Sequence, residues 1–223
     1  MSNEMNQETL TGPSWHSLFH GAVRESLAAA NSVARIGIQD TRAWERPMRY
    51  VADDNGGNVG IVEFLDDGAV GAMSARAPKI AIDRAEAIAF APAGLRDQLV
   101  RICELPLLQE GLGVSAIFWT VGASIQGSRS WDDICANGAH LFEHEFLPDR
   151  EWEETGAQFY NLTPDVARLV IAISARAAVR VPVLHLAEHE LRMLVARGCK
   201  HESTAVDLLL SEGLFEMAPD DRV

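Results

Sequence analysis

The stretch Tyr50-Val-Ala-Asp-Asp-Asn-Gly-Gly-Asn-Val-Gly-Ile-Val-Glu-Phe-Leu-Asp-Asp-Gly-Ala-Val-Gly-Ala-Met73 decides the fold. Its apolar runs are short and rich in Val, Ile, Phe and Tyr, residues that suit a pleated surface. Between them lie Asp53-Asp-Asn-Gly-Gly57 and Asp66-Asp-Gly68, which supply the positive-φ positions a tight hairpin needs. The spacing predicts strands over 48–52, 59–65 and 69–74 in an antiparallel meander. Val114-Ser-Ala-Ile-Phe-Trp-Thr-Val121 adds a buried strand by the same composition, and Ala85–Phe90 is a candidate for one more.

On either side of this stretch the signals are helical. Met1–Pro13 reads as a disordered polar leader. Ser14 caps a helix over about 15–34, whose stripe includes Trp15, Phe19, Ala22, Val23, Ala30 and Val33. Pro92 opens a helix to about Leu108. Ser130, followed by Asp132 and Asp133, starts one that runs to Pro148 across Gly138. Thr163-Pro164-Asp165 starts another. Further helices are predicted from Pro182 to Gly198 and over 203–211, with a frayed acidic tail at 216–223. The expected class is α+β: an N-terminal helix, an antiparallel β-meander and a C-terminal helical array. Residues 14–223 are read as a single domain, sheet-rich over 47–121 and helical over 130–212, with no strand between 164 and 197.

Composition narrows the function classes. The chain has 223 residues and a net charge of −13, and only Lys79 and Lys200 among its 19 basic residues are lysines. Nucleic-acid backbones and anionic membranes need clustered positive charge, so neither is an expected partner. A basic protein partner is compatible with this balance. No apolar run reaches the roughly 20 residues of a membrane span, and the N-terminus lacks an apolar signal core. Cys103, Cys135 and Cys199 lack metal-type spacing, which implies reduced thiols and a cytoplasmic location.

The histidines carry the one chemical signal. They form the pairs His16/His20, His140/His144 and His185/His189, all at i, i+4. Scattering seven histidines over this length gives roughly 0.2 such pairs, so the excess is real. The last two pairs lie in near-copies, His140-Leu-Phe-Glu-His-Glu-Phe146 and His185-Leu-Ala-Glu-His-Glu-Leu191. On predicted helices with about 100° per residue, both pairs fall opposite the apolar face. That face meets solvent, or it lines a cleft between two helices. In the cleft, His140, His144, His185 and His189 would hold zinc, with Glu143 and Glu188 as orienting or base residues.

Gly127-Ser-Arg129 with Asn137-Gly-Ala-His-Leu-Phe-Glu-His144 resembles the zinc-binding motif of insulinase-type peptidases. The resemblance implies His140 and His144 as zinc ligands and Glu143 as the base, with a third ligand falling among Glu212, Glu216 and the tail beyond them. Gly122-Ala-Ser-Ile-Gln-Gly127 is one residue too long for a nucleophile elbow.

The meander of 50–73, with the acidic helical half beyond it, resembles in overall character small bacterial proteins of the toxin-immunity type. That likeness implies a cytoplasmic, non-catalytic protein that neutralises a partner through an acidic surface and carries no cofactor. Two expectations therefore stand: such a binding protein, or a zinc-dependent hydrolase built on the paired histidines.

Overall fold

The computed structural model describes residues 14–37, 41–46, 48–80, 82–109, 113–127, 129–177, 183–196, 198–210 and 214–218. The predicted leader, 1–13, lies outside the described residues.

Helix α1 (Trp15–Ile36) starts where Ser14 Oγ accepts the His16 amide at 3.2 Å, and ends at Gly37, whose φ of 88° no β-carbon favours. A meander follows: β1 (Thr41–Arg46), β2 (Arg49–Asp53), β3 (Val59–Leu65), β4 (Gly68–Ser74), β5 (Ala116–Val121) and β6 (Ser124–Gly127). Their order in the sheet is their order in the chain, and every pair is antiparallel. The helices α2 (Arg84–Phe90), α3 (Arg96–Cys103) and α4 (Pro106–Gln109) fall between β4 and β5.

The strands alternate in side as a period of two requires. Tyr50, Ala52, Val62, Phe64, Met73 and Phe118 pack with α1 on one face. Val51, Ile61, Val70, Ala72, Ile117 and Trp119 pack with Leu99, Ile102, Cys103 and Leu108 on the other. Both faces are therefore dry, which is why these strands read as near-continuous apolar runs.

After β6 come α5 (Trp131–Ala136), 3₁₀ turns at Ala139–Phe142 and His144–Phe146, α6 (Asp149–Phe159), α7 (Pro164–Ser174), β7 (Leu184–Leu186), α8 (Glu188–Leu194), α9 (Glu202–Leu210) and β8 (Phe215–Met217). The class is α+β, as the sequence predicts. Helix α1 is the axis of the fold. It is buried continuously from Gly21 to Ala34, touching the sheet, the 3₁₀ turns, α7, α8 and α9. A helix enclosed on all sides needs small residues where neighbours approach, and Gly21, Ala22, Ala28, Ala29, Ala30 and Ala34 provide them.

Several predicted elements are corrected. Residues 85–90 form α2, not a strand, because Asp83 caps the Glu86 amide at 3.0 Å ahead of an alanine-rich run. The helix expected over 92–108 divides at Pro106. The helix expected to reach 148 stops at Ala136, since Gly138 adopts φ 128° and the chain continues in 3₁₀ turns. The helix expected from 182 to 198 is instead β7 followed by α8, so a strand does lie between 164 and 197. It pairs in parallel with β8, in part of the tail predicted to fray. Strands β1 and β6 and helix α6 were not predicted; they are more polar than the elements around them.

Candidate functional site

The structure separates the histidines. His140 is exposed, its Nδ1 3.3 Å from the Cys135 carbonyl. His144 is half-buried between the Phe159 ring and the Glu25 carboxylate, with Nδ1 4.0 Å from Glu25 Oε2. His185 is exposed on β7 and His189 on α8. Neither pair shares one α-helix, so the face that would present two ligands together is not built. His16 stacks on Trp15, and His20 Nδ1 lies 3.1 Å from the Ser174 carbonyl. Glu143 is exposed, and Glu188 is paired with Arg192 on the surface. Among the described residues, no group of three or more His, Cys, Asp or Glu side chains is placed to hold a metal ion. Of the third-ligand candidates, Glu216 is exposed on β8 and Glu212 lies outside the described residues.

Other nucleophile candidates are placed equally plainly. Ser124 opens β6 after the turn at Gly122, within a strand-to-strand hairpin rather than a strand-to-helix elbow. Burial pushes the Cys103 and Cys135 thiols up to about 11, which leaves them protonated and poorly nucleophilic at neutral pH. A cleft lined by Ser115, Ile117, Asp133, Ile134 and Asn137 has room for about one water molecule.

The concentration of chemistry lies elsewhere, where the 3₁₀ turns lie on α1. Glu25 and Glu145 are 0% and 1% exposed. Glu25 accepts hydrogen bonds from Trp152 Nε1 and, at 2.6 Å, from the Tyr160 hydroxyl. Glu145 Oε1 accepts from the Tyr50 hydroxyl at 2.8 Å and faces Arg42 Nε at 3.7 Å. Arg42 donates to the Leu141 carbonyl at 3.2 Å. Arg24 holds the carbonyls of His144 and Leu147, both at 2.9 Å, and Asp149 at 2.7 Å, with its guanidinium over the Trp152 ring.

Burial lifts the Glu145 carboxyl to about 7, against the pull of Arg42 and with a further push from Glu25. Burial likewise raises the Tyr50 and Tyr160 hydroxyls, which stay protonated as donors. The cluster is enclosed and its two carboxylates present no surface to a substrate.

Each heptapeptide thus contributes a buried glutamate that the histidine pattern does not point to. Glu190, the counterpart of Glu145, accepts the Ala187 amide at 2.9 Å and Arg176 at 3.0 Å. Sequence held a signal for both. On the predicted helices they lie only about 50° from the centre of the apolar face, whereas the histidines lie opposite it. In comparisons with known proteins, no family model, no curated protein and no solved structure matched the chain.

Proposed function

We propose that this chain is a non-catalytic, cytoplasmic binding protein that engages a basic protein partner through an acidic surface, neutralising it as toxin-immunity proteins do. The net charge of −13 carries this reading. Buried Arg24 and Arg42 are matched by buried Glu25 and Glu145, so the excess acid lies outside that cluster. Glu143 and, along α6, Glu151, Glu153 and Glu154 are exposed, Glu154 paired with Arg150. Such a field accelerates encounter with a positive partner and disfavours other acidic surfaces.

Phe159, at the end of the helix that carries Glu151, Glu153 and Glu154, is 51% exposed and offers an aromatic anchor. No helix among the described residues is long and apolar enough to cross a membrane.

The test is affinity capture from the native host at low salt, comparing the wild type with the Glu151→Gln/Glu153→Gln/Glu154→Gln variant. The wild type should retain a basic protein that is released as salt rises, and the variant should retain much less. Capture of no salt-sensitive basic protein, or equal capture by both, rejects the reading.

A further inference from the structure

The chain contains two Asn-Gly sequences, Asn55-Gly56 and Asn137-Gly138, and the fold treats them in opposite ways. In such a pair the asparagine amide is open to attack by the next backbone nitrogen, because glycine places no side chain beside that nitrogen. Asn137 is 1% exposed and pinned. Its Oδ1 accepts the Ile80 amide at 3.0 Å and its carbonyl accepts the Ser115 hydroxyl at 2.5 Å. The Gly138 amide donates to the Cys135 carbonyl at 3.2 Å. Asn55 and Gly56 are instead exposed at the tip of the β2–β3 hairpin. Asp54 closes the turn beneath them. Its amide donates to the Asn58 carbonyl at 3.2 Å, and its carboxylate accepts the Asn58 amide at 3.0 Å and the Asn58 side chain at 2.5 Å. The same carboxylate accepts the Gly56 amide at 2.7 Å. The other described asparagines, Asn31, Asn58 and Asn161, precede Ser32, Val59 and Leu162, whose side chains crowd the nitrogen.

We propose that Asn55-Gly56 is a self-modifying site, at which the folded chain forms a succinimide and then an aspartyl or isoaspartyl linkage, and that Asp54 restrains the reaction. The Gly56 nitrogen bonds to Asn55 Cγ and the bond from Cγ to Nδ2 breaks. Ammonia leaves, carrying the proton that the Gly56 nitrogen gives up. Water then adds to one of the two ring carbonyls, and ring opening returns an N–H to Gly56. The nucleophile is the deprotonated amide, so the reaction speeds as pH rises. Asp54 opposes it in two ways. An anionic carboxylate on the Gly56 N–H disfavours a second negative charge on that nitrogen, and its bonds to Asn58 hold the turn in one conformation. Either product adds a negative charge, and the isoaspartyl product also inserts a methylene into the main chain between β2 and β3.

Incubation of the folded full chain at mildly alkaline pH, followed by tryptic mapping, tests this. The peptide 50–76 should gain the mass of an amide-to-acid change at position 55 and become a substrate for an isoaspartyl methyltransferase. The peptide 130–150 carries Asn137 and serves as the internal reference. Opening a hairpin tip costs little, whereas Asn137 is released only with the core, so 50–76 should convert at least about tenfold faster than 130–150. In urea, where no fold protects Asn137, the two rates should come together. Gly56→Ala places a methyl group beside the attacking nitrogen and should slow conversion several-fold; Gly56 lacks the positive φ that would strain an alanine. Asp54→Ala removes the carboxylate and should speed conversion several-fold. An unmodified position 55 in the folded chain, equal rates for the two peptides before urea is added, or rates that stay apart in urea would overturn the proposal. So would a Gly56→Ala variant that is no slower, or an Asp54→Ala variant that is no faster.

Discussion

Gly21 of α1 lies against the backbone of Glu145 so closely that a methyl group at position 21 would fall on the Glu145 carbonyl. Two segments more than a hundred residues apart in sequence thus meet backbone to backbone, and this contact delivers a glutamate into the core beside Glu25. Gly21→Ala gains about 1 kcal/mol of helix propensity. It also forces a backbone, not a flexible side-chain tip, to move, and overpacking of that kind costs about 1–3 kcal/mol. The expected net effect is a loss of stability, read as a lower urea midpoint. A midpoint at or above the wild type would contradict the close contact.

Glu25 is the shared acceptor for the Trp152 indole and the Tyr160 hydroxyl. Glu25→Ala leaves two buried donors unmatched, at about 1–3 kcal/mol each, and should destabilise more than Glu25→Gln, which keeps one acceptor oxygen. Chemical denaturation of the two variants at one pH gives the order. Equal losses would mean that Glu25 acts by volume alone.

The pH dependence of global stability has a fixed sign at Glu145. Its carboxyl is raised in the folded chain from 4.5 to about 7, so the folded state binds more protons in that interval. The contribution is full below the unfolded value and is lost as pH rises to the folded value, a total of about 3 kcal/mol. Urea titrations of the wild type and Glu145→Gln should therefore diverge across this window, with only the wild type losing this increment. Parallel curves would remove Glu145 from the pH response.

Zinc titration of untagged protein addresses the hydrolase alternative. The separated pairs should each give at most weak, two-ligand binding that is lost on dialysis. His144→Ala/His189→Ala should leave the fold and the metal content as they are. Retained zinc in equal amount to protein, abolished by that double substitution, would instead support a site at His140, His144, His185 and His189 with Glu143 or Glu188.

The end of the described chain is part of the core. Phe215 on β8 is 2% exposed, and the Leu184 and Ala218 amides tie β7 and β8 together at 2.6 and 2.8 Å. Phe215→Ala should cost about 3–5 kcal/mol, measured by thermal or urea unfolding. A neutral substitution would show the tail to be dispensable.

What the sequence determined alone is local. Asp53–Gly57 and Asp66–Gly68 make hairpins because turn residues and strand composition fall within a few residues of each other; Asn55 and Gly57 take positive φ as expected, whereas the Asp66–Gly68 turn forms without a positive-φ residue. Ser14, Thr163 and Ser130 start helices for the same short-range reason, each side chain accepting an amide two or three residues on. Tertiary structure decided whatever needs a distant partner. The Leu184–Leu186 segment is a strand only because Phe215–Met217 pairs with it, overriding a helical pattern. Gly138 could be seen as weakening a helix, but only packing made it a stop, and that stop put His140 and His144 on separate 3₁₀ turns. The histidine spacing drew attention to the right peptide and the wrong side chains. A pattern of metal-ligating residues presumes a continuous helix, whereas burial of an ionisable group depends on which backbone comes to lie on which, here Glu145 on Gly21.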